Sequence, residues 1–127
     1  MIQGEAMSDQ YLFLIVEGQW DSASVSEEEY AQSMQGHGAF SAAVAAAGAK
    51  ILGGEALQSA SAGFSVTPAK DGKPAVYTNG PLTETTEVLS GYYVIEANSL
   101  EQAKELAALC PTDGHIEVRP IWDMSGM

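Results

Sequence analysis

Gly91-Tyr92-Tyr93-Val94-Ile95-Glu96-Ala97-Asn98-Ser99-Leu100-Glu101-Gln102 is the stretch from which the fold is read. Its opening, Gly91 to Ala97, is rich in aromatic and β-branched side chains, the composition that suits a pleated, partly buried strand. Ser99 with Gln102 three residues on is a capping box, so a helix opens directly after the strand. That helix runs to Cys110 and stops before Pro111, and Ile116 to Ile121 reads as a closing strand.

The same punctuation recurs upstream. Tyr11 to Glu17 is a near-continuous apolar run ended by Gly18, the pattern of a strand buried on both faces. Ser26 and Glu29 make a second capping box, and the acidic cluster Glu27 to Glu29 suits the positive end of a helix dipole. The helix that follows should end at Gly48, with Tyr30, Met34, His37, Ser41 and Val44 on its inward stripe and Phe40 and Ala47 beside it. Lys50 to Leu57 reads as a strand with a bulge at Gly53-Gly54, and Phe64 to Pro68 as another. Asp71-Gly72 is a turn, Val76 to Thr78 an additional β-prone piece, and Asn79-Gly80-Pro81 a turn or loop. The order β-α-β-β-α-β predicts an α+β fold: the ferredoxin-like split βαβ plan with an antiparallel sheet.

The 127 residues form one domain of ordinary globular composition, 46% apolar. Residues 7–127 carry it, and 1–6 read as a leader, since Met7-Ser8 is a more natural start. Five basic against 17 acidic residues give a formal charge of −12, so the chain cannot offer the basic patch that nucleic acid or an anionic membrane requires. The longest uncharged run, Tyr30 to Ala49, is interrupted by Gln32, Ser33, Gln35, His37 and Ser41 and is not a membrane span. The lone Cys110 can form neither an internal disulfide nor a thiolate metal site, which suits a reducing, cytoplasmic location. No Gly-rich phosphate loop follows a strand, and the two histidines have no ligand-spaced partners, so the expectation is no cofactor and no metal.

Strand parity gives an expected partner. The helix-covered face should hold Leu12, Leu14, Val16, Tyr93, Ile95, Ile116 and Val118. The other face would then hold Tyr11, Phe13, Ile15, Glu17, Tyr92, Val94, Glu96, Glu117 and Arg119, too apolar for water and too charged for a plain core. A second subunit lying across it, with a lined cavity between, accounts for such a face, so a homodimer is expected.

The run from Asn79-Gly80-Pro81-Leu82 through the acidic segment Glu84 to Glu87, Gly91 to Tyr93, the helix end Ala108 to Pro111, and Glu117 to Pro120 resembles the DGPF branch of the YCII-related family. His37-Gly38-Ala39-Phe40 is similar to that family's His and aromatic pair, and with the opening strand the likeness spans Met7 to Ile121. The resemblance implies an uncharacterised bacterial protein built as a dimeric α+β barrel, with a cavity and a His–Asp pair. Two positions depart from the pattern: Asn79 replaces the motif Asp, and Thr86 the usual Lys. An amide can orient an imidazole but cannot stabilise its cation by charge, which argues for weak or absent catalysis.

His37 is either a satisfied core histidine or a pocket residue. Gly36 and Gly38 around it suggest a kink or a close backbone approach. Asn79 and Pro81 have ordinary turn reasons to be where they are, and their pocket reading rests on the resemblance. Tyr92 and Arg119 share the mixed face, Tyr92 needing a hydroxyl partner and Arg119 facing either a neighbouring Glu or an anionic ligand. Glu84 is a solvated residue or a carboxylate at a cavity mouth, and Cys110 a buried small hydrophobe. Two functions follow. One is a dimer that binds a small organic acid in an inter-sheet cavity, with isomerase- or lyase-like acid–base chemistry at His37 oriented by Asn79, and Phe40, Pro81, Glu84, Tyr92 and Arg119 around the ligand. The other, which the resemblance implies, is a non-enzymatic module tied to sigma-factor systems through protein contacts.

Overall fold

The computed structural model describes residues 9–80 and 87–125. The expected leader, 1–6, and the candidate site residues Pro81 and Glu84 lie outside them. Strand β1 (Gln10–Gly18) leads through a short 3-10 turn to helix α1 (Glu27–Ala46), followed by β2 (Lys50–Ala56). A hairpin, β3 (Phe64–Thr67) and β4 (Val76–Asn79), precedes β5 (Glu87–Glu96), helix α2 (Leu100–Ala107) and β6 (His115–Pro120). The main sheet has the order β2-β5-β1-β6, and every neighbouring pair is antiparallel. This is the predicted ferredoxin-like plan, with β3–β4 set apart as a two-stranded sheet of its own.

The helices begin where their caps say. Ser26 Oγ accepts from the Glu29 amide at 3.0 Å, and Glu29 Oε1 accepts from the Ser26 amide at 2.9 Å. Ser99 Oγ accepts from the Gln102 amide at 3.0 Å, whereas Gln102 Oε1 reaches back one residue further, to the Asn98 amide at 2.8 Å. Gly48, at φ +79°, supplies the left-handed residue that ends α1. The bulge at the glycine pair is present as a register shift between Ile51 and Gly53.

Two expectations about faces are corrected. The phase of β1 is opposite to that predicted: Tyr11, Phe13 and Ile15 are buried under the helices, and Leu12, Leu14 and Val16 are half-buried on the open face. The pairings Phe13↔Tyr93, Tyr11↔Ile95 and Ile15↔Ile116 fix this phase, because directly opposed residues share a face. Glu17 therefore sits on the helix side, where Oε2 accepts from Thr112 Oγ1 at 2.9 Å and from the Asp113 amide at 3.2 Å. The inward stripe of α1 is also shorter than predicted. Phe40 and Val44 are buried, but Tyr30 and Met34 are 62% and 56% exposed, Ser41 and Ala47 are exposed as well, and only part of the helix lies on the sheet.

The core is one cluster: Tyr11, Phe13 and Ile15 from β1, Phe40 and Val44 from α1, Ile95 from β5, and Ala103, Leu106 and Cys110 from α2 and its end. Among the described residues, no helix is long and apolar enough to cross a membrane.

Candidate functional site around His37

His37 lies at the middle of α1, half-buried, at the margin of this core. Its Nδ1 is 2.6 Å from the hydroxyl of Tyr93 in β5, with ring centroids 5.8 Å apart. Tyr93 is held from three sides. Phe40, one turn along α1, lies 5.0 Å from it, centroid to centroid. Opposite it in β2 is Gly54, where a Cβ would stand 2.9 Å from Tyr93 Cδ1 and 2.6 Å from the Tyr92 carbonyl oxygen, so the ring occupies space that only glycine leaves. Cys110 closes the third side, and burial, with a smaller contribution from Cys110, pushes the Tyr93 phenol above its ordinary range.

A phenol so raised keeps its proton at neutral pH and must place it on an acceptor. Among the described residues, Nδ1 of His37 is the acceptor its hydroxyl meets. When the O–H donates to Nδ1, the ring hydrogen is on Nε2, and Nε2 is a donor without a partner among the described residues. Such a site can donate to a carbonyl or carboxylate oxygen. Taking a proton at Nε2 requires the other tautomer, with Nδ1–H donating to Tyr93.

The structure places the remaining predicted residues as follows. Phe40 is 2% exposed and packs between Phe13 and Tyr93, so it supports Tyr93 from within the core. Asn79 is the exposed last residue of β4, paired with Phe64 in the separate hairpin. Among the described residues no hydrogen bond joins Asn79 to His37; the ring's partner is Tyr93. Tyr92 and Arg119 are on the open sheet face, Tyr92 half-buried and Arg119 exposed without an ion pair among the described residues. Gly36 does make a close approach, a Cβ there lying 3.6 Å from Pro111 Cγ, whereas nothing lies within 4 Å at Gly38 and α1 runs unbroken through both. Cys110 is buried, and burial followed by Glu17 pushes its thiol up to about 11, the inert state of a core cysteine.

Sequence reasoning placed Tyr93 on the helix-covered face and missed its partnership with His37. The signal was available: alternation puts Tyr93 on the helix side, and a buried phenol needs a partner. It also missed His115, which stands on the open face 3.7 Å from Glu87 Oε2 and 3.9 Å from Glu117 Oε2. An open depression of about 510 Å³ lies elsewhere, between the C-terminal half of α1 and β2, lined by residues such as Ser41, Ala45, Lys50 and Leu52 and not by His37 or Asn79. Among the described residues, no three His, Cys, Asp or Glu side chains gather as a metal site.

A family model described as a YCII-related domain matches residues 11–125. No curated protein matches the chain significantly.

Proposed function

The chain belongs to the YCII-related family, and we propose that it is a homodimer that binds a small organic acid through the outward Nε2–H of His37. The observation that carries this reading is the 2.6 Å contact between His37 Nδ1 and the Tyr93 hydroxyl, which fixes the ring's orientation and leaves Nε2 without a partner among the described residues. In this reading binding, rather than turnover, is the main activity. The ring is oriented by a neutral phenol, which cannot stabilise an imidazolium as a carboxylate does, and Asn79 brings no charge either. An isomerase- or lyase-type proton transfer to His37 would proceed through the tautomer in which Nδ1–H donates to Tyr93. The turn sequence Asn79-Gly80-Pro81-Leu82 and the Glu117-Val-Arg-Pro120 strand support the DGPF branch of the family.

The homodimer reading is supported by the open sheet face, where Leu12, Leu14, Val16, Tyr92 and Val94 stay half-buried with no helix above them. The test is thermal shift against a panel of small carboxylic acids. The wild type is expected to be stabilised by a subset, the effect to vanish in His37→Ala and to weaken in Tyr93→Phe. Equal stabilisation of His37→Ala would overturn the assignment. Light scattering at micromolar concentration should give twice 13.3 kDa, and a monomer mass would overturn the dimer.

A further inference from the structure

The β3–β4 hairpin is at odds with its surroundings. All eight of its strand residues are exposed, and among the described residues its strands pair only with each other. Phe64, Val66 and Tyr77 share one of its faces, since Val66↔Tyr77 are directly opposed and Phe64 is two residues from Val66. Phe64 and Tyr77 are 67% and 69% exposed, with ring centroids 6.5 Å apart. A lone two-stranded hairpin is marginal in water, and an aromatic face of this kind on a regular hairpin calls for a cover.

The tip points to what the cover is. Asp71 and Gly72, at φ 53° and 78°, form a tight turn that holds Lys70 and Lys73 directly opposite each other through two backbone hydrogen bonds of 3.0 and 2.9 Å. Like charges directly opposed repel, and among the described residues neither lysine has an ion pair. The bridge Lys70↔Lys73 keeps the register of Thr67↔Val76, three residues on along each chain segment, so both lysines stand together at the tip. Residues 63–80 carry Lys70, Asp71 and Lys73, a net +1, so the rest of the chain sums to −12 − 1 = −13. A positively tipped, apolar-faced arm on so acidic a chain is complementary to another copy of the same chain.

We propose that β3–β4 is an arm that clasps a second copy of this chain, with Phe64, Val66 and Tyr77 against its surface and Lys70 and Lys73 against its carboxylates. The proposal rests on the homodimer reading and adds the segment that secures it. In a two-fold dimer each copy gives one arm and receives one.

Sedimentation equilibrium on the full chain over a dilution series tests it, with Phe64→Ser/Tyr77→Ser and Lys70→Glu/Lys73→Glu compared with wild type. Both variants are expected to keep the wild-type circular dichroism and to dissociate at least about tenfold more readily. The effect of the lysine reversal should shrink in about 0.5 M salt, where surface charges are screened. Should the aromatic pair misfold, the lysine pair, exposed at a turn, decides alone. A dimer that keeps the wild-type dissociation constant in the variants overturns the arm and leaves the dimer reading standing. A wild type that is monomeric throughout the series overturns both.

Discussion

Alanine at Gly53 and alanine at Gly54 change adjacent positions of β2 in opposite ways. Replacing glycine in a strand removes unfolded-state freedom and stabilises by about 0.5–1 kcal/mol where the backbone and the space allow it. At Gly53 nothing lies within 4 Å of the new Cβ, so that gain should be realised. At Gly54 the Cβ would meet the Tyr92 carbonyl oxygen at 2.6 Å and Tyr93 Cδ1 at 2.9 Å, against ordinary contact from 3.4 Å, so roughly 0.5–0.8 Å must be opened. The carbonyl belongs to the β2–β5 ladder and can move only by distorting it, and overpacking of this kind costs about 1–3 kcal/mol. The backbone gain is common to both variants and cancels in their difference, which leaves about 1–3 kcal/mol between them. At about 3–6 °C per kcal/mol for a domain of this size, Gly54→Ala should melt roughly 3–18 °C below Gly53→Ala. Calorimetry or thermal circular dichroism reads the gap. Displacement of the Tyr93 ring should also loosen His37, so stabilisation by an organic acid should survive in Gly53→Ala and fade in Gly54→Ala. Melting points within about 1 °C of each other would refute the claim that Gly54 makes room for Tyr93.

Three further outcomes follow from single interactions. The folded Cys110 thiol keeps its proton to about pH 11, while an unfolded one releases it near 9.0. The unfolded state thus binds fewer protons in that window, so this contribution is complete below about pH 9 and lost as pH rises towards 11; urea melts of Cys110→Ala should show a shallower alkaline decline than wild type. Ser26→Ala removes the hydroxyl half of the capping box, leaving its backbone amide to donate to Glu29 Oε1, and should cost about 1 kcal/mol in denaturant melts, with Ser26→Asp restoring most of it. Gly48→Ala must take φ +79° and should cost about 1 kcal/mol, a loss that Gly48→Asn reduces.

Element type and order were legible because local chemistry decides them. The capping serines, the glycine at +79° and the turn at Asp71-Gly72 each act within four residues. Strand phase in β1 was not, since Tyr11 to Val16 is apolar at every position and offers no alternation to read. Only the opposed residues of β5 and β6 choose which half faces the helices, and they are about 80 and 105 residues away in sequence. Helix α1 misled for a related reason. Its residues are largely Ala, Gly, Gln and Ser, so Tyr30 and Met34 stood out as an inward stripe, whereas the extent of the sheet beneath determines how much of the helix is covered. At the site, His37 was identifiable from the sequence, but its partner was not, because the sequence alone does not measure the distance from α1 to β5.

The corrected phase of β1 changes what the open sheet face is. With Glu17 moved to the helix side and Leu12, Leu14 and Val16 in its place, the two central strands present Leu12, Leu14, Val16, Leu89, Tyr92 and Val94. The charges collect on the edge strands, Lys50 and Glu55 on β2 and His115, Glu117 and Arg119 on β6, and at the two ends of β5, where Glu87 and Glu96 stand. An apolar centre with a charged rim is the distribution of an interface that excludes water at its middle. It is not that of a face left to solvent, which would carry its polar residues on the central strands as well. In the proposed homodimer this rim would hold Glu55, Glu87, Glu96 and Glu117 beside Lys50, His115 and Arg119, where each carboxylate can reach a cation or water. On the arm proposed above, Lys70 and Lys73, without an ion pair among the described residues, would complement those carboxylates on another copy.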